Sequence, residues 1–190
     1  MNPINLTEFL YQTGLMPLSK AQEIAARFKR RELAKHDFLL RAGHTADTYL
    51  FLESGYLRGF AEDVNGQEVT TAFYGPARMV FEVASFFSRS RSKENVQALT
   101  DSVGWTITYA ELNELFHTMP EFREFGRAML AKGFAELKGR MLATITEPAE
   151  SRYQALLAAQ PELFQQASLK HIASYLGITD TSLSRIRAKK

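Results

Sequence analysis

The stretch from Ser168 to Lys190, SLKHIASYLGITDTSLSRIRAKK, holds the residues whose types and spacing could act on a partner molecule. Two short helices can meet at a sharp turn only with a small residue in the first, a glycine at the turn and apolar residues at fixed inward positions. Counting Leu169 as first, Ile172 is fourth, Ala173 fifth, Leu176 eighth, Gly177 ninth, Ile178 tenth, Leu183 fifteenth and Ile186 eighteenth. Each constrained position carries the required type, so the spacing predicts a helix-turn-helix. A plain helical hairpin with a polar outer face is the bland alternative.

Gly177 can take the left-handed conformation that ends a helix, and Thr179 offers a hydroxyl as N-cap of the next, with Asp180 in its first turn. With Leu183 and Ile186 inward, Asp180, Thr181, Ser182, Ser184, Arg185, Arg187 and Lys189 are left for other faces. A polar N-terminal half is what a helix presents to the major groove of double-stranded DNA. Arg185 suits a guanine edge, because its guanidinium can donate two hydrogen bonds to O6 and N7. Thr179, Ser182, Lys189 and Lys190 suit phosphate, which positions a protein without reading sequence.

Other chemistry finds little material. With zero cysteines and four histidines, disulfides, thiolate metal sites and cysteine nucleophiles are excluded. His36 and His44 lie eight apart, His117 and His171 fall on predicted helices, and no P-loop, dinucleotide fingerprint or Gly-x-Ser-x-Gly occurs. A non-enzyme with no metal and no cofactor is expected.

The elements that must carry this motif come from a chain of 190 residues, 45% hydrophobic and 23% charged, the balance of an ordinary globular protein. The net charge of +2 is unevenly distributed: from Ala149 onward there are six bases against three acids, and before it seventeen against eighteen. A basic tail on a near-neutral body fits a nucleic-acid-facing end. No signal peptide or membrane-spanning run is read, and a cytoplasmic protein without membrane contact is expected.

Helical spacing at Leu6, Phe9, Leu10 and at Ile24, Ala25, Phe28 predicts a short lead-in ahead of the basic cluster Lys29, Arg30, Arg31. From about Arg41 to Tyr109, short apolar runs alternate with turn glycines at 43, 55, 66 and 75, which predicts an antiparallel β-roll of jelly-roll type. Helical periodicity then returns at Leu112, Leu115 and Phe116, and Pro120 is well placed to start the next helix. In that helix Leu130, Phe134, Leu137, Met141 and Thr144 are spaced 4, 3, 4, 3, the seam of a coiled coil, so a homodimer is expected. Phe122, Phe125 and Met129 are assigned to packing on the β-roll. The fold class is α+β, with the lead-in and sensor at 1–119, the dimerisation helix at 120–148 and the DNA-binding unit at 149–190.

This order of elements resembles the cyclic-AMP receptor protein and fumarate–nitrate regulator (Crp/Fnr) family over nearly the whole chain. RAGHTADTYLFLESGYLRGF, Arg41 to Phe60, is similar to that family's opening hairpin, and NGQEVTTAFYGPARM, Asn65 to Met79, to its next. SRYQALLAAQPELFQQASLKHIASYLGITDTSLSRIR, Ser151 to Arg187, resembles the DNA-binding end of its short members. The resemblance implies a homodimeric bacterial transcription regulator, with RNA polymerase and an unidentified small-molecule effector as further partners. A ligand-sensing β-roll without DNA binding is the alternative reading.

Two departures from the family matter. Cyclic-nucleotide binders of this family carry Gly-Glu-Leu followed by Arg-Ser or Arg-Thr, the glutamate taking the ribose and the arginine the cyclic phosphate. Here FEVASFFSRSRSKENVQAL keeps Glu82 but has Phe81 for the glycine, with Val83 and Ala84 after it. Arg91-Ser92 resembles the phosphate pair, yet counting back from Val96 and Ala98 puts Ser92 and Lys93 there instead, and both registers stay open. Arg89, Arg91 and Lys93 could hold another anion or form a solvated basic loop. Phe81, Glu82, Val83, Ala84, Arg91, Ser92 and Lys93 are therefore an effector pocket in which cyclic AMP is not the expected occupant. The second departure is that the chain ends three residues after Arg187, where most members add a β-hairpin wing, so binding is expected to be weak and steeply salt-dependent.

Overall fold

The structure is a computed structural model that describes residues 4–188. Two short helices, α1 (Leu6–Gln12) and α2 (Leu18–Ala25), lead into eight strands: β1 (Lys29–Leu33), β2 (Phe38–Leu40), β3 (Thr48–Ser54), β4 (Leu57–Glu62), β5 (Glu68–Tyr74), β6 (Arg78–Val80), β7 (Asn95–Ala98) and β8 (Ser102–Thr108). The strands form two antiparallel sheets, ordered β1-β8-β3-β6 and β2-β7-β4-β5. Tyr49, Leu50, Phe51, Leu52, Leu57, Val96 and Ile107 are buried in one core, the two faces of β3 both covered, and Leu10 and Ile24 of the leading helices belong to the same core.

The roll begins earlier than its apolar runs suggest. Lys29, Arg30 and Arg31, read from the sequence only as a basic cluster after the helical lead-in, form β1 and pair with Thr106, Trp105 and Gly104 of β8. As an edge strand β1 buries only Leu33, so no apolar alternation announces it, and its charges guard an open edge. The bend into β4 needs Gly55 at φ +91°, where a Cβ would come within 2.7 Å of the Asp101 carbonyl.

Helix α3 (Val83–Ser88) sits between β6 and β7. After β8, α4 (Tyr109–Thr118) is held by a capping box in which Thr108 and Glu111 satisfy each other's backbone N–H groups. Then follows α5 (Pro120–Thr146), 27 residues long with proline in its first turn. Its opening turns bury Phe122, Phe125 and Gly126 against the β-roll, and a Cβ at Gly126 would meet the Phe116 ring at 2.5 Å. Beyond Met129 the helix leaves the core.

Four more helices, α6 (Ala149–Ala159), α7 (Leu163–Gln166), α8 (Leu169–Leu176) and α9 (Asp180–Ala188), surround a second core of Tyr153, Leu156, Leu163, Ile172, Ala173, Leu176 and Leu183. This core is continuous with the β-roll, since Leu99 belongs to it and Tyr56 and Phe73 pack on it. No helix of the described residues is long and apolar enough to cross a membrane.

Candidate nucleic-acid interface and sensor pocket

Helices α8 and α9 meet in the geometry read from the spacing. Ser168 caps α8 by accepting the His171 N–H at 3.2 Å. Gly177 ends it at φ 68°, and the Ile178 N–H returns to the Ala173 carbonyl at 3.0 Å. Thr179 Oγ1 accepts the Ser182 N–H at 3.2 Å, which caps α9, and lies 2.9 Å from the Ser182 hydroxyl. Ile172, Ala173, Leu176 and Leu183 are buried and Ile186 packs on the same core.

The opposite face of α9 is open. Asp180, Thr181, Ser184, Arg185 and Arg187 are exposed, and neither arginine enters an ion pair among the described residues. An unpaired guanidinium one turn beyond a capped helix end is free to meet a base edge or a phosphate. Lys189 and Lys190 lie outside the described residues.

Phe81 is part of an aromatic cluster, its ring centroid 4.6 Å from that of Tyr49, 5.7 Å from Phe86 and 5.9 Å from Phe87. Glu82 uses both carboxylate oxygens to cap α3, accepting the Ala84 N–H at 2.9 Å and the Ser85 N–H at 2.7 Å. Val83, Ala84, Arg91 and Lys93 are exposed. Ser92 is buried, and its hydroxyl donates to the Glu94 carbonyl at 2.8 Å. Arg89 pairs with Asp47 at 2.8 Å, donates to the Ala46 carbonyl at 2.7 Å and lies over the Tyr109 ring, so its charge is committed to the fold.

Phe81 and Glu82 border a cavity of about 290 Å³ with Arg41, His44 and Asp47. Phe81 and Val83 also border a groove of about 710 Å³ between β5 and α5, walled by Tyr74, Met129, Leu130, Phe134 and Leu137. Ala84, Arg91, Ser92 and Lys93 line neither. The structure thus joins Phe81 to Glu82 and to Val83 but not to the basic residues of the same loop.

Sequence reasoning missed Glu94, which stands half-buried at the head of β7 and accepts the Thr71 hydroxyl at 3.1 Å. Burial pushes its carboxyl above the ordinary range and the Glu82 charge adds to this, while Thr71 and Arg140 oppose it. It also missed Arg140, which donates to the Thr71 carbonyl and lies 4.7 Å over the Tyr175 ring, tying α5 to both β5 and α8. A lone arginine in an otherwise mixed helix face carries no sequence signal of that role.

The seam residues of α5 are exposed: Leu130 at 39%, Phe134 at 67%, Leu137 at 57% and Met141 at 53%, continued by Leu142 and Ile145. Single exposed apolar residues are ordinary, but a continuous row on one helix marks an uncovered surface.

Comparison with known proteins agrees with this architecture. A family model described as "Cyclic nucleotide-binding domain" matches residues 30–119. The transcriptional activator protein Anr of Pseudomonas protegens is 25% identical over 167 residues, covering 82% of this chain and 68% of that protein. The transcriptional activator protein FnrA of Stutzerimonas stutzeri matches with the same identity and coverage. Among solved structures, FixK2 from Bradyrhizobium japonicum superposes with a TM-score of 0.75 at 16% identity, covering 85% of this chain and 83% of that one. The c-di-GMP responsive global regulator CLP of Xanthomonas campestris gives 0.72 at 20% identity over 91% of both chains. At these identities the solved structures speak for the fold alone, and the sequence relatives speak for transcriptional control rather than catalysis. With a β-roll that matches a cyclic nucleotide-binding domain, followed by a long helix and a helix-turn-helix, the chain is similar over most of its length to Crp/Fnr-type transcription regulators.

Proposed function

We propose that this regulator acts as a homodimer that reads a specific DNA sequence with α9 and responds to an effector other than cyclic AMP. The observation that carries the dimer is the exposed row Leu130, Phe134, Leu137, Met141 on α5. Paired with a second copy, that row would bury side chains at roughly 1.5–3 kcal/mol each. Two-fold symmetry would then place two α9 helices on successive major grooves. Within each, Arg185 reads a base while Thr179 and Ser182 approach phosphate, with Asp180 and Thr181 at the leading turn and Lys189 and Lys190 supplying charge. Residues 1–119 serve as sensor, 120–148 as dimerisation helix and 149–190 as DNA-binding unit. RNA polymerase is a further partner in this reading if the protein activates transcription, and the reading puts the protein in the cytoplasm.

The effector assignment rests on Phe81 and Glu82. An aromatic ring stands where a glycine would leave room, and both oxygens of the glutamate are occupied by backbone N–H groups. The test is selection of bound duplexes from a random pool, run with and without cell extract. Recovery of a palindromic consensus supports the reading, and recovery of random duplexes defeats it.

A further inference from the structure

Helix α8 does more than support α9, because its other face is fastened to the sensor. Thr70 of β5 donates its backbone N–H to the Ser174 hydroxyl at 2.9 Å. Beneath this contact lies Arg58 of β4, only 1% exposed. Its Nε donates to the Thr70 hydroxyl at 2.9 Å, and its Nη1 meets Glu68 at 2.7 Å and His171 Nε2 at 3.0 Å. Tyr56 donates to Glu162 at 2.9 Å along the same seam.

The chemistry of the arginine–histidine contact admits one protonation state. A guanidinium has five donors and no acceptor and stays charged at any pH a protein survives. His171 Nε2 must therefore accept, which leaves the proton on Nδ1 of a neutral ring. An imidazolium would set N–H against N–H and charge against like charge at 3.0 Å, inside a joint where Arg58 is buried. Nor is the joint overdetermined: Arg58 Nη2 and His171 Nδ1 are buried with no hydrogen-bond partner among the described residues.

We propose that the Arg58–His171 contact is a proton-sensitive latch between sensor and DNA-binding unit, closed while His171 is neutral and released when it is protonated. The groups facing His171 bear on this with both signs. Burial is the largest influence and lowers its affinity for a proton, Arg58 from β4 and Lys170 from α8 lower it further, and Glu68 from β5 raises it. A proton bound more weakly in the latched state means that latching is fully present above the free imidazole range, near pH 6.5. Latching is weakened as the pH falls through and below that range. Acidification of the cell interior would thereby loosen α8 and α9 from β5. Resting on the DNA-binding reading above, this would let the two α9 helices lose their fixed spacing and weaken operator binding.

The direct test does not involve DNA. Amide hydrogen exchange of β5 and α8 in the full chain is followed from pH 7.5 to pH 5.5, corrected for intrinsic exchange, in the wild type and in His171→Gln. Glutamine can accept from Arg58 through Oε1 but does not titrate. The expected result is roughly tenfold loss of protection in both segments of the wild type at the acid end, with β3 and β8 unchanged, and protection that does not vary with pH in the variant. Equal protection at both pH values in the wild type, or the same acid loss in His171→Gln, overturns the latch. Should the glutamine variant misfold, the His171 titration in wild-type protein, followed by NMR, decides: a midpoint at or above that of a free histidine overturns the proposal. Operator binding measured over the same range fails separately if only the DNA-binding reading is wrong.

Discussion

The ring of Phe81 stands 4.6 Å from that of Tyr49, so the position that the family's nucleotide binders leave open is joined to the aromatic core of the β-roll. Cyclic AMP should therefore show no saturable micromolar binding by calorimetry. Phe81→Gly should lower the melting temperature, because removing a packed aromatic side chain costs about 3–5 kcal/mol where fully buried and less at this half-buried site. Micromolar cyclic-AMP binding by the wild type would refute the effector assignment.

Sedimentation should give a species of twice 21.5 kDa at micromolar concentration. Phe134→Glu with Leu137→Glu should yield folded monomer, since both side chains are more than half exposed in one chain and their replacement leaves its core intact. Unchanged dimer in that variant would move the interface elsewhere.

Arg185→Ala should cost about 1–3 kcal/mol on the selected duplex and relax preference at one base pair per half-site. Lys189→Ala should weaken selected and scrambled duplexes alike and flatten the salt slope by about one unit for each phosphate it leaves unneutralised. Equal weakening of both duplexes by Arg185→Ala would return that residue to the phosphate-binding set.

Glu94→Gln should raise the melting temperature at neutral pH. The folded carboxyl binds its proton more tightly than the unfolded one, so ionisation penalises the folded state above its ordinary pKa of 4.5, and glutamine removes that penalty. The advantage should shrink as the pH falls toward 4 and both side chains become neutral. Melting curves at pH 7.5 and pH 4 decide it.

Capping of α9 should be worth about 0.5–2 kcal/mol, measured as the drop in stability of Thr179→Ala. Gly177→Ala should cost a further 1 kcal/mol or so through its left-handed backbone alone, because nothing lies within 4 Å of the added Cβ. A drop near zero in Thr179→Ala would mean that the hydroxyl is not the helix cap.

Local stereochemistry was readable from the residues themselves. Gly177, Thr179, Leu183 and Ile186 take the roles their order requires, because a turn between two short helices is decided within a few residues of backbone. The β-roll was legible from Arg41 onward, where apolar alternation reports a buried face, and illegible at Lys29–Leu33, where an edge strand is held by the β8 ladder rather than by its own pattern. The open register at Arg91 and Ser92 needed β7 in place, which buries Ser92 and leaves Arg91 in solvent. Only the tertiary structure could bring Arg58 to His171 across 113 positions of chain, or Arg140 to Thr71 across 69. Contacts of that kind depend on how two cores dock, and docking is set by the summed shape of surfaces that no local periodicity records.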